Sequence, residues 1–337
     1  MEPVPCTPPS QDYSPVDDLW FDDGNVVIAA KSRLFRVHRS ILSLQSSVFR
    51  DILSLPASEE QDMYEGHPLI ELPDDGEEVE HFLKAIYLPQ YFPSAKGPND
   101  LPFEAVVGAL RLAHKYDVPF LRRRALRVFS AEYILDIDKI ETMPTPWWRR
   151  SDPHREDDVT WSKFVTEILL AREVGALWVL PQLLFEASYE HVERLVSSQL
   201  SQADVNNCYA GFQKVGEAKL LGTLLFQELV NAGCNYKCFQ NPNGIMFALE
   251  AAGKLSDPIQ LFSRDIEQRT RVAVLCAKCK ERIIERYRQW RKDFWTSLPG
   301  QYSLPDCKEL KEMRRKALEV FFTCRGLIDS CIWTPLA

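Results

Sequence analysis

The chain has 337 residues, 45% of them hydrophobic, which is room for two modest domains with buried cores. Its formal net charge of −8 argues against nucleic acid as the main partner, because phosphate binding is dominated by positive charge. No apolar run approaches the ~20 residues of a membrane-spanning helix, so a membrane partner is not expected.

The N-terminal MEPVPCTPPSQDYSP has neither a basic start nor an apolar core and does not read as a signal peptide. Its prolines predict a disordered lead-in over residues 1–16. Nine cysteines are scattered through the chain and read as reduced thiols, with a cytoplasmic and/or nuclear location.

The most informative stretch is LWFDDGNVVIAAKSRLFRVHRSILSLQSSVF, from Leu19 to Phe49. Asp22-Asp23-Gly24 is turn chemistry. Asn25 to Ala30 reads as a strand buried on at least one face, and Leu34 to Val37 as a second strand pairing back on it. Phe35 and Val37 then point to one side, Leu34 and Arg36 to the other. At His38 the period changes from strand to helix. Ser46 and Ser47 both suit an N-cap for a second short helix marked by Val48, Phe49, Ile52 and Leu53. Leu69 to Leu72 is a short apolar strand. Asp75 followed by Glu78 predicts a helix start, with Val79, Phe82, Leu83, Ile86 and Tyr87 on one face. Phe103, Val106, Val107 and Leu110 stripe a further helix that ends near Asp117-Val118-Pro119. Leu121, Ala125, Val128 and Phe129 stripe the next.

Residues 17–135 resemble a BTB/POZ domain. The resemblance is carried by LFRVHRSILSLQSSVF at 34–49, PLIELPDD at 68–75, EEVEHFLKAIY at 77–87 and ALRLAHKYDVPFLRRRAL at 109–126. The opening LWFDDGNVVI is similar to BTB proteins expanded in mushroom-type (basidiomycete) fungi. The resemblance implies an α+β domain, a small three-stranded sheet flanked by helices. Asp23, Gly24, Phe35, His38, Arg39, Ser47, Phe49, Tyr87 and Tyr116 are its structural signature. It also implies protein–protein interaction, with self-association as a homodimer and, in some members, an adaptor role for cullin-type ubiquitin ligases. The proline-rich residues before Asp17 make a poor strand, which counts against a strand-swapped dimer.

Residues 136–160 read as a linker, with three prolines, many charges and the pair Trp147-Trp148. Residues 161–337 read as all-helical. Trp161, Phe164, Val165, Ile168 and Leu169 stripe one helix, and Pro181 opens another. Asp265 to Trp295 is predicted as one long helix, on which Leu275, Tyr287 and Phe294 fill the apolar stripe. The segments Pro56 to Pro68 and Leu88 to Pro102 read as solvent-exposed loops. Arg122-Arg123-Arg124 with Arg127, and Lys311, Arg314, Arg315 and Lys316, read as solvated helix faces.

No GxSxG, phosphate-cradling glycine loop, HExxH or acidic metal box occurs, so no catalytic residue and no cofactor are expected. His38, at a strand-to-helix junction, reads as a structural hydrogen-bonding residue. One constellation has possible chemistry. Cys276 and Cys279 form a CxxC, and Cys234 with Cys238 could supply a second pair of thiolates to zinc. Against zinc, CAKCK has no glycine, and cysteines at i and i+3 on a helix fall on the apolar stripe, where free Cys is a small hydrophobe. Two readings follow: a BTB interaction or adaptor protein, or a BTB-dimerised regulatory protein whose helical C-terminal domain is stapled by zinc. Converging thiolates would favour the second.

Overall fold

The computed structural model of the chain describes residues 13–55, 62–88, 90–92, 101–131, 133, 158–188, 192–219, 275–319 and positions 227, 228, 231, 234 and 238. The first strands are β1 (Ser14–Trp20), β2 (Val26–Ala30) and β3 (Arg33–Val37). β2 and β3 form an antiparallel hairpin, with Val26 opposite Val37 and Ala30 opposite Arg33. All five residues of β2 are buried, as an unbroken VVIAA run requires of a strand covered on both faces. Phe35 and Val37 enter the main core, whereas Leu34 joins Val27 and Ala29 in a small second cluster on the opposite sheet face. The predicted division of side chains is the observed one.

The chain continues through α1 (Arg39–Gln45) and α2 (Ser47–Ser54), then β4 (Met63–Tyr64) and β5 (His67–Leu72). The sheet is mixed, with order β1-β3-β2-β5-β4. It has five strands where three were expected. β4 is a two-residue strand paired with the start of β5 through Glu65 (φ 48°) and Gly66 (φ 81°). Two left-handed residues in succession are the backbone of a type I′ hairpin. The segment from Pro56 to Pro68, read as a loop, therefore ends in a hairpin. β1 takes in Ser14, Pro15 and Val16, which the proline content had assigned to the lead-in. Pro15 lies opposite Leu34 in a parallel pairing with β3 at the sheet edge, where its missing N–H removes no bond from a central ladder. Leu19 of this strand is buried, and Trp20 turns to the other face, meeting the Tyr64 ring edge-on at 6.2 Å.

Three helices follow: α3 (Gly76–Tyr87) packs on the sheet, α4 (Phe103–Lys115) on α3, and α5 (Pro119–Ser130) on α4. Asp75 caps α3, accepting from the N–H groups of Glu77 and Glu78, and α5 opens on Pro119 after Val118.

The described C-terminal part is helical: α6 (Asp158–Glu173), a 3-10 turn (Leu177–Val179), α7 (Leu180–Ala187), α8 (Val192–Ser197), α9 (Gln202–Lys219), α10 (Ala277–Gln301) and α11 (Cys307–Leu318). Every residue of α7 is buried, so it is the centre of this part. α10 begins at Ala277, with Cys276 as its extended N-cap; residues 265–274 of the predicted long helix lie outside the described residues. Leu275, Tyr287 and Phe294 are buried, as the stripe required. Of the expected linker only Asp158 to Thr160 is described, as the first turn of α6; Trp147 and Trp148 lie outside.

One hydrophobic cluster runs from Leu19 and Phe82 through Leu121 and Trp178 to Leu310, so the N-terminal domain and the helices behind it share a core. This alters the reading of the basic clusters. Arg122 is half-buried and donates to the Val174 carbonyl at 2.9 Å, and the Arg124 guanidinium lies 5.9 Å from the centre of the Phe92 ring. Arg127 donates to Leu318 and Arg314 to Ser130, both at 3.3 Å. Arg122, Arg127 and Arg314 thus bridge the two parts, although Arg127 stays exposed to solvent. Arg315 and Lys316 do face solvent, paired with Glu312.

Candidate functional site

The turn at Asp22-Asp23-Gly24 and the strand-to-helix junction at His38 form one constellation. A Cβ on Gly24 would stand 2.8 Å from Arg36 Cγ and 2.9 Å from the Arg36 carbonyl oxygen, so only glycine lets the turn close on β3. Arg36 Nε donates to the Gly24 carbonyl at 3.1 Å. His38 Nε2 is 3.1 Å from Asp23 Oδ1, and this hydrogen bond holds the Asp23 carboxyl below its ordinary value. The His38 backbone N–H donates to Tyr87 Oη at 3.0 Å, and the Tyr87 hydroxyl donates back to the His38 carbonyl at 3.3 Å. Burial pushes the Tyr87 phenol up to about 12. The Arg39 N–H donates to Asn25 Oδ1 at 2.8 Å, and its guanidinium reaches the Leu53 carbonyl. Phe35 and Phe49 are buried, and Phe49 stacks on Tyr116 at 4.7 Å. Tyr116 donates to Asp74, and burial raises its phenol. Ser47 donates to Asp117, while Ser46 is the residue that caps α2. The histidine thus joins turn, helix and sheet.

A second constellation lies in the C-terminal part. The Sγ atoms of Cys234, Cys238, Cys276 and Cys279 all lie within 4.8 Å of one another. Cys234 Sγ is 3.5 Å from Cys238 Sγ and 3.4 Å from Cys276 Sγ. Cys234, Cys238 and Cys279 are buried and Cys276 is half-buried. The backbone N–H of Cys238 donates to the Cys234 sulfur and holds that thiol down at about 6, whereas burial pushes the Cys238 and Cys279 thiols up. Cys276 is not on the stripe of a continuous helix. It precedes the first turn of α10 in extended conformation (φ −64°, ψ 156°), and Cys279 follows within that turn. Both residues therefore stand at the N-terminal end of the helix. Cys208 is buried elsewhere, its thiol pushed up to about 12 by that burial. Spacing alone named the four cysteines; the approach of the two pairs, far apart in the chain, required the fold.

Comparison with protein families matches residues 22–131 to the BTB/POZ domain. Residues 22–131 are a BTB/POZ domain. The match spans a third of the chain and leaves the helices from Asp158 onward unmatched. No curated protein and no solved structure matches the chain.

The BTB/POZ domain presents two large apolar side chains to solvent on its short helices, Leu44 at 75% exposure in α1 and Leu55 at 69% just after α2. At its sheet edge β1 carries exposed Asp17 and Asp18, and Asp18 pairs with Lys84 of α3 at 3.0 Å. Charged residues and a proline on an edge strand oppose pairing with another chain. Among the described residues no helix is long and apolar enough to cross a membrane.

Proposed function

We propose that the protein is a protein–protein interaction protein whose BTB/POZ domain self-associates, with the helical C-terminal part as the support or surface for a further partner. The observation that carries this is the BTB/POZ match over residues 22–131, on a complete sheet-and-helix domain. The exposed Leu44 and Leu55 favour association through the α1–α2 side. Strand exchange through β1 is disfavoured, because β1 pairs with β3 of its own chain and carries Pro15, Asp17 and Asp18. The likeness to mushroom-type fungal BTB proteins and the adaptor role belong to the same reading.

Light scattering on the full chain over a concentration series tests it. At about 100 μM the chain is expected to be largely dimeric, and the double variant Leu44→Asp, Leu55→Asp to weaken the dimer at least tenfold, about 1.4 kcal/mol. A strict monomer at that concentration overturns self-association. Affinity purification from the native cell then identifies partners; recovery of a cullin would extend the reading to a ubiquitin-ligase adaptor.

A further inference from the structure

We propose that Cys234, Cys238, Cys276 and Cys279 bind one zinc ion in a closed, structural tetrathiolate site. Neither the BTB/POZ match nor the self-association reading supplies this site, since its residues lie outside 22–131.

The geometry is that of a ligand set. Four sulfurs on a tetrahedron with Zn–S arms of about 2.3 Å are about 3.8 Å apart along each edge. The four sulfurs here lie within 4.8 Å of one another, with pairs at 3.4 and 3.5 Å, so small side-chain rotations bring them to that tetrahedron. The contacts between pairs span 42 residues of sequence, from Cys234 to Cys276, so the cluster is a product of the fold and not of local spacing.

The surroundings suit a dianionic zinc–tetrathiolate. Cys276 is the N-cap of α10 and Cys279 lies in its first turn, at the positive end of the helix, and Lys278 and Lys280 flank Cys279 in sequence. Four protein ligands, three of them buried, leave no open coordination position, which makes the site structural and not catalytic. An all-sulfur set is soft and selects zinc or iron over magnesium or calcium. Binding exchanges S–H bonds for four Zn–S bonds and releases to solvent one proton for each thiol still protonated.

The staple would hold the segment carrying Cys234 and Cys238 against the start of α10. The other bonds described there are the ion pairs of Glu228 with Arg282 at 3.2 Å and Arg286 at 3.6 Å. These arginines are about half-exposed, and such pairs contribute little.

The test is elemental analysis of the full chain purified without chelator. About one zinc per chain is expected, falling below a tenth of an equivalent in the double variant Cys276→Ser, Cys279→Ser. The control Cys208→Ser, Cys307→Ser should keep its zinc. Because the first variant could fail to fold, the wild-type chain carries an independent readout: X-ray absorption at the zinc edge should show four sulfurs at about 2.3 Å. Zinc below a tenth of an equivalent in the wild type overturns the proposal. So does iron in its place, a mass short by the hydrogens of two disulfides among these cysteines, or zinc retained by Cys276→Ser, Cys279→Ser.

Discussion

Replacing Ser46 with alanine should cost far more than replacing Ser47, although the two adjacent serines are chemically identical. Ser46 is 1% exposed, and its Oγ accepts the Phe49 N–H at 2.9 Å while donating to the Tyr116 carbonyl. One hydroxyl therefore caps α2 and closes the end of α4. Losing the cap costs about 1 kcal/mol. Leaving the Tyr116 carbonyl without its buried donor adds about 1–3 kcal/mol. Ser46→Ala should thus destabilise the chain by about 2–4 kcal/mol. Ser47 donates to Asp117 at the surface, where water replaces the bond, and Ser47→Ala should cost under about 1 kcal/mol. Urea unfolding of both variants, followed by circular dichroism, compares their midpoints at constant slope. If Ser46→Ala loses no more stability than Ser47→Ala, the hydroxyl does not join the two helices, and the account of this corner of the domain fails.

Two further variants probe the same domain. A Cβ on Gly76 would stand 2.7 Å from the Ala30 carbonyl oxygen, a backbone atom of β2. Gly76→Ala should therefore destabilise by about 1–3 kcal/mol, although helix propensity alone predicts a gain of about 1 kcal/mol; thermal unfolding reads the sign. Asp75 is held below its ordinary value, first by the hydrogen bond from Lys31, and a depressed carboxyl contributes stability that is present above its unfolded value and lost as pH falls. Asp75→Asn keeps a capping oxygen, so the gap between wild type and variant isolates the charge. It should be under about 1 kcal/mol at neutral pH, because the pair is half-exposed, and should close on acidification through the folded-state value. A gap independent of pH would assign the effect to the cap.

The elements carried by strong local patterns were legible in the sequence. The hairpin of β2 and β3, the Ser46 and Asp75 caps and the stripes of α3 to α5 stand where periodicity put them. β1 was not legible, because SPVDDLW has the composition of a lead-in and becomes a strand only when β3 offers it an edge. β4 is two residues long, too short for any alternation to show. The bridging bonds of Arg122 and Arg127 were not legible because their acceptors, Val174 and Leu318, lie far along the chain. The approach of the two cysteine pairs was not legible for the same reason, since Cys234 and Cys276 are 42 residues apart. The helix starts between Cys276 and Cys279, where the sequence pattern had run it on from Asp265.

The return of α11 to α5 sets an order of events during synthesis. Arg127 and its acceptor Leu318 are 191 residues apart. At about 5–20 residues per second, roughly 10–40 s pass between the emergence of the BTB/POZ domain and that of the helix that covers its last face. For that interval the domain can be folded while the side of α5 on which α11 packs still lies open. A nascent chain that pairs through this domain would do so uncovered, so the first contacts it makes are set by timing as well as by affinity.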